Sequence, residues 1–168
     1  EALKTFYMDR GFVNFKVDST SVELTPDRKG IYLTIAIDEG ERYKVHSFSV
    51  RGDTLKYGAE LNEAITLQEG EIYNQGGVTE NDKTLASVLG KYGYANSEVK
   101  AVPIYNDKEK TVDLNFNVNP GSRVHVSQVL ITGNDSTDDT VIRRELRQMD
   151  GSWLSSEAIE VSKTRLNR

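Results

Sequence analysis

The stretch Tyr32-Leu-Thr-Ile-Ala-Ile-Asp-Glu-Gly40-Glu-Arg-Tyr-Lys-Val-His-Ser-Phe-Ser-Val-Arg-Gly52 decides the fold. It reads as an alternating strand, a tight glycine break, a second strand, and a glycine turn into a helix. The same grammar returns in Val112-Asp-Leu-Asn-Phe-Asn-Val-Asn-Pro-Gly121-Ser-Arg-Val-His-Val-Ser-Gln-Val-Leu-Ile-Thr-Gly133. Gly40 and Gly121 stand 81 residues apart, as do Gly52 with Gly133 and Gly70 with Gly151; Gly11 and Gly93 stand 82 apart. Glycines recurring in register mark a duplicated module of about 80 residues.

Working outward, Leu3, Phe6, Tyr7 and Arg10 have helical spacing, with Gly11 where a C-cap glycine belongs. Residues 12–24 read as a strand, and Thr25-Pro-Asp-Arg-Lys-Gly30 supplies a turn. Ile31, Leu33, Ile35 and Ile37 give the returning strand one apolar face. The next module opens with strand 44–51, followed by a helix carrying Leu61 and Ile65. Thr79 and Asp82 resemble a capping pair for a second helix with Leu85, Val88, Leu89 and Tyr92 on one face. Strands 97–105 and 111–118 then form a hairpin. Residues 123–132 read as a third opening strand, followed by a helix capped at Ser136 and another from about Ser156.

The fold class is therefore α+β: tandem β-α-α-β-β modules, each a small three-stranded mixed sheet covered on one face by two antiparallel helices. The boundaries fall at 1–41 (helix and hairpin of one module), 42–121 (a complete module) and 122–168 (strand and two helices of a third). Gly40 and Gly121 are the inter-module hinge positions, on connections too short to let neighbours tumble freely.

Twenty-six acidic against 21 basic residues give a formal charge of −5, which argues against a grip on nucleic-acid phosphates. Cysteine is absent, so there is neither a disulfide framework nor a thiolate metal site. His46 and His125 do not align under the repeat offset, so no shared metal or catalytic site follows. Asp38-Glu39 and Asp138-Asp139 fit a strand end and a helix N-terminus better than an acid–base pair. The sequence thus points to no enzyme and no cofactor. No run is apolar and long enough to cross a bilayer as a helix.

Two features stand above this background. Pro103 cannot donate to a ladder, which places strand 97–105 at a sheet edge, with Val99, Lys100, Ala101, Val102 and Pro103 as a dock for an added strand. Arg143, Arg144, Arg147 and Asp150 form a charged group on a helix face opposite Ile142 and Leu146, a candidate partner contact.

Several longer runs carry a family resemblance: Tyr7-Met-Asp-Arg-Gly-Phe12, Asp18-Ser-Thr-Ser-Val-Glu-Leu-Thr-Pro-Asp-Arg-Lys-Gly-Ile-Tyr32, Gly90-Lys-Tyr-Gly-Tyr-Ala95, Gly133-Asn-Asp-Ser-Thr and Arg143-Arg-Glu-Leu-Arg-Gln-Met-Asp-Gly-Ser-Trp-Leu154. They resemble the POTRA modules of the BamA family of outer-membrane protein assembly factors: the end of the third, the whole fourth and the start of the fifth. The resemblance implies a periplasmic location, attachment to the outer membrane through a C-terminal β-barrel beyond this chain, and a part in folding and inserting outer-membrane proteins. The implied partners are unfolded outer-membrane proteins, lipoproteins of the assembly complex and the protein's own barrel. Arg143, Arg144 and Asp150 match the family's lipoprotein-docking region, and Leu130 stands where the family has a basic residue. Alternatives are the POTRA region of another polypeptide-transporting pore, such as a two-partner secretion pore, or an accessory domain of a periplasmic enzyme.

Overall fold

The computed structural model describes residues 2–167. Helix α1 (Ala2–Met8) leads into an antiparallel hairpin of β1 (Lys16–Leu24) and β2 (Ile31–Asp38). Then come β3 (Lys44–Gly52), α2 (Gly58–Glu63), α3 (Gln75–Lys91), β4 (Glu98–Asn106) and β5 (Thr111–Asn119). Two helices close the chain, α4 (Asp139–Glu145) and α5 (Ser156–Leu166).

Strands β3, β5 and β4 make one sheet in that order, with β5 in the centre. Lys44 N–H donates to Lys110 O and Asp53 N–H to Val118 O, so β3 and β5 run the same way. The strict alternation in β5 gives this central strand one face for the core. Val112, Leu114, Phe116 and Val118 are buried, while the residues between them are more open. Each such side chain contributes about 1.5–3 kcal/mol of burial. On β5's other face, Asp113 accepts from Ser47 Oγ (2.6 Å) and contacts His46 Nδ1 (2.8 Å). Ser49 Oγ donates to Asn115 in the same way, at 2.8 Å.

The chain divides into two compact units, and the division runs through the 42–121 segment. The first takes in residues up to Phe48, with Leu67–Thr79 and Pro103–Leu114. Its fully buried side chains are Tyr43, Val45, Tyr73, Val112 and Leu114. The second comprises Ser49–Thr66, Glu80–Val102 and the chain from Asn115 onward, with Leu61, Leu85, Leu89 and Phe116 fully buried.

Several boundaries differ from the sequence reading, each for a local reason. Helix α3 starts at Gln75 rather than near Thr79, because Asn74 accepts the Gly77 N–H at 2.8 Å and serves as the cap. Gly76 and Gly77 disguise that first turn, since glycine is a poor helix former. Helix α4 is capped by Asp138, which accepts from Thr140 N–H, and not by Ser136. In β1 the pairing shifts between Val17 and Ser19. That bulge puts Val17 opposite Ile37 while Val22 still faces Leu33 and Leu24 faces Ile31, so one apolar face survives the change of parity. All of these side chains are exposed.

Residues 123–132 form no strand; they hold one isolated bridge, His125 with Trp153. Strand β3 gains its ladder from β5, and the described residues from 122 onward hold no hairpin that could play that part for 123–132. The same contrast is visible at the glycines. A Cβ at Gly52 would lie 2.3 Å from Val118 O, whereas one at its counterpart Gly133 meets nothing within 4 Å.

Gly52 and Gly70 share positive φ, at 90° and 84°, but only Gly52 is sterically enclosed. Gly70→Ala is expected to cost about 1–2 kcal/mol from backbone strain alone. Gly52→Ala adds a clash with the β5 backbone and should cost about 2–4 kcal/mol in chemical denaturation. Equal midpoint shifts for the two variants would contradict this packing.

Candidate functional site

Strand β4 lies at the outside of the sheet, with β5 as its strand neighbour. Val99 is buried, Ala101 and Pro103 are half-buried, and Lys100 and Val102 point to solvent. Ile104 and Tyr105 continue the exposed apolar surface beyond Pro103.

The charged group on α4 has a more specific internal role. Arg143 Nε donates to Asp139 Oδ2 (2.6 Å), Nη1 to Asp150 Oδ2 (3.3 Å) and Nη2 to Val129 O (3.2 Å). Asp150 also accepts the Val129 N–H. Arg143 and Asp150 therefore pin the 123–132 segment to the end of α4. The Asp139 bond, and secondarily the Asp150 charge, raise the Arg143 pKa. Arg147 folds back on the carbonyls of Arg144 and Leu146. The Arg144 side chain is exposed and has no hydrogen-bond or ionic partner among the described residues. Helix α4 ends at Glu145, so Arg147 and Asp150 lie past it and the four residues do not share one helix face. Leu130 is 76% exposed.

A third feature went unseen in the sequence. Tyr43 N–H donates to Gly11 O at 2.9 Å, and Val124 N–H donates to Gly93 O at 2.8 Å. Around each bond the same contacts recur. Arg42 lies over Phe12 at 5.0 Å, and Arg123 over Tyr94 at 5.7 Å. Ile72 crowds Gly11 as Trp153 crowds Gly93. Tyr73 N–H returns to Tyr43 O, and Leu154 N–H to Val124 O. The second copy is reinforced: Arg123 Nε donates to Tyr92 O (2.8 Å) and its guanidinium sits 4.3 Å from the Trp153 ring. Gly40 and Gly121 stand just ahead of the clasp residues Tyr43 and Val124, at φ 69° and 64°. Their N–H groups are held by Asp38 (3.1 Å) and Asn119 (3.2 Å).

A buried polar position repeats as well. Asn81 accepts the Thr66 N–H and Ser162 accepts the Arg147 N–H, at 2.9 and 2.8 Å. The 81-residue offset carried the signal, since Asn81 and Ser162 are in register. Unlike residues in register hide it, because what repeats is an acceptor for a main-chain N–H rather than a residue type.

With this geometry in place, the comparison with known proteins is direct. The sequence model of the POTRA family (surface antigen variable number repeat) matches residues 1–40, 43–121 and 124–168. The chain belongs to the POTRA family. It is 33% identical over 168 residues to the outer membrane protein assembly factor BamA of Buchnera aphidicola, covering 100% of this chain and 27% of that protein. Identity to the BamA of Neisseria meningitidis is 32%, over 99% of this chain and 21% of that protein. The chain thus spans about a quarter of the length of the curated relatives it matches. The crystal structure of Haemophilus influenzae BamA POTRA3-5 superposes with a TM-score of 0.79 at 27% identity, over 99% of this chain and 66% of that one. BamA from Haemophilus ducreyi lacking POTRA domains 1-3 matches 75% of this chain and 24% of that one, with TM-score 0.66 and 34% identity. Among the described residues, no helix is long and apolar enough to cross a membrane.

One electrostatic feature of the POTRA sheet is directly measurable. The hydrogen bond to Asp113, together with its charge, raises the His46 pKa. The Ser47 hydroxyl first, and then His46, lower that of Asp113. Protonated His46 is favoured in the folded state, so its stabilisation is present below the ordinary imidazole value of about 6.5 and is lost as pH rises through the raised folded value. NMR titration should place His46 above about 6.5, and Asp113→Asn should bring it back towards that figure. A titration insensitive to Asp113→Asn would contradict the pairing.

Proposed function

We propose that these modules are a non-enzymatic periplasmic scaffold within an outer-membrane β-barrel assembly factor. The observation that carries this reading is the POTRA match along nearly the whole chain, together with 32–33% identity to BamA relatives. In this reading the boundaries are 1–41, 42–121 and 122–168, and the protein is held to the outer membrane by its own barrel beyond this chain. Unfolded outer-membrane proteins add as extended segments to the β4 edge at Val99–Pro103, where main-chain pairing gives sequence-tolerant affinity. A lipoprotein of the assembly complex docks at the α4 end, with Arg144 and Arg147 in contact and Arg143 and Asp150 shaping the surface beneath them. Gly40 and Gly121 act as joints of restricted angle.

The internal bonds of Asp150 separate its role from that of Arg144. A photo-crosslinking side chain at Val102 of the full-length factor in cells is expected to capture nascent outer-membrane proteins, and one at Arg144 a lipoprotein. Arg144→Glu should weaken lipoprotein capture about tenfold with the fold unchanged. Asp150→Lys should also release the amide of Val129 to hydrogen exchange. Crosslinks to neither class of partner would overturn the proposal.

A further inference from the structure

The outer edge of β4 is already partly occupied. Ala101 N–H donates to Asp82 Oδ1 at 2.9 Å, across from α3. One turn further along that helix, Ala86 O accepts from Ser97 Oγ at 3.2 Å, just ahead of the strand. Asp82 and Ala86 thus fasten the beginning of β4 to α3, and a groove lined by Asp82, Lys83, Ala86, Glu98, Val99 and Lys100 runs between them. Successive amides of a strand point to opposite sides, so residues 99, 101, 103 and 105 share one side. On it Ala101 is engaged by Asp82, and Pro103 has no N–H. Two consecutive donor positions that an added strand uses are therefore closed, the second permanently and the first reversibly.

The module's architecture does not demand this carboxylate. The position 81 residues on is Lys163, which instead pairs with Glu160 on the surface of α5. Burial raises the Asp82 pKa, opposed by the Ala101 bond and the charge of Lys100. The carboxylate therefore gives up hydration to hold this amide and regains it on release.

We propose that Asp82 is a latch on the β4 edge: an extended segment of an unfolded polypeptide adds to β4 by displacing the Asp82 carboxylate from the Ala101 amide. This rests on the reading of β4 as the client-binding edge and adds how access to that edge is controlled. The client's carbonyl replaces the carboxylate at Ala101, so the latch lowers affinity for every segment alike. Weak and general binding is the consequence.

The test uses the 168-residue chain and a ten-residue peptide with the alternating apolar and polar pattern of an outer-membrane strand, followed by backbone amide shifts. Asp82→Ala should speed hydrogen exchange at Ala101 in the free protein and tighten peptide binding roughly three- to tenfold, the equivalent of one net hydrogen bond. Perturbations should centre on Val99–Tyr105. Asp82→Asn keeps an acceptor and should fall between wild type and Asp82→Ala, which covers the case in which the alanine variant folds poorly. Peptide binding on β4 with equal affinity in all three proteins would overturn the latch and leave the edge reading standing. Absence of β4 shifts in all three would overturn both.

Discussion

Two main-chain hydrogen bonds, Tyr43 to Gly11 and Val124 to Gly93, are the constraint on which the rest depends. Each joins the loop after one module's second helix to the first residues of the next module. Positive φ at Gly11 (89°) and Gly93 (97°) brings the carbonyl within reach. A Cβ at Gly11 would stand 2.8 Å from Ile72 Cγ2, and one at Gly93 3.3 Å from Arg123 Nε. Small size and a left-handed backbone are needed at the same positions, which is why the glycines recur in register. Each compact unit of the chain contains one complete clasp.

The clasps also determine what the sheet edges offer. With Lys44 joined to Ile72 by an isolated bridge and to Lys110 through β5, the start of β3 is engaged on both sides. On the other side of the sheet β4 carries no further strand, and there Pro103, Lys100 and Asp82 limit what can pair with it. A partly closed edge also guards against self-association, which an unrestricted one invites.

Much of this was legible in the sequence, and the failures have physical causes. The 81-residue glycine offset and the alternation Val112, Leu114, Phe116, Val118 give the repeat and a strand with one core face directly, because each reflects a backbone or burial requirement that few residues meet. The α3 start was obscured because two glycines follow its cap. The β1 bulge was invisible because a single inserted residue changes strand parity without altering composition. Residues 123–132 have strand-like composition, yet a strand needs a partner and the described residues from 122 onward hold none of the hairpin type. The arginine cluster read as one helix face because the end of α4 at Glu145 carries no glycine or proline to announce it. Asp82 read as a capping residue because its target, Ala101, is distant in sequence.

The clasps, and not connection length alone, are expected to fix the angle between successive modules. Spin labels at Glu63 and Lys163, both exposed, span the second clasp. Pulsed dipolar spectroscopy should give a single narrow distance distribution for the otherwise native chain. Removing the guanidinium that bridges Tyr92 and Trp153, with Arg123→Ala, should broaden that distribution while each module stays folded. A distribution already broad with Arg123 in place, or equally narrow without it, would contradict the claim.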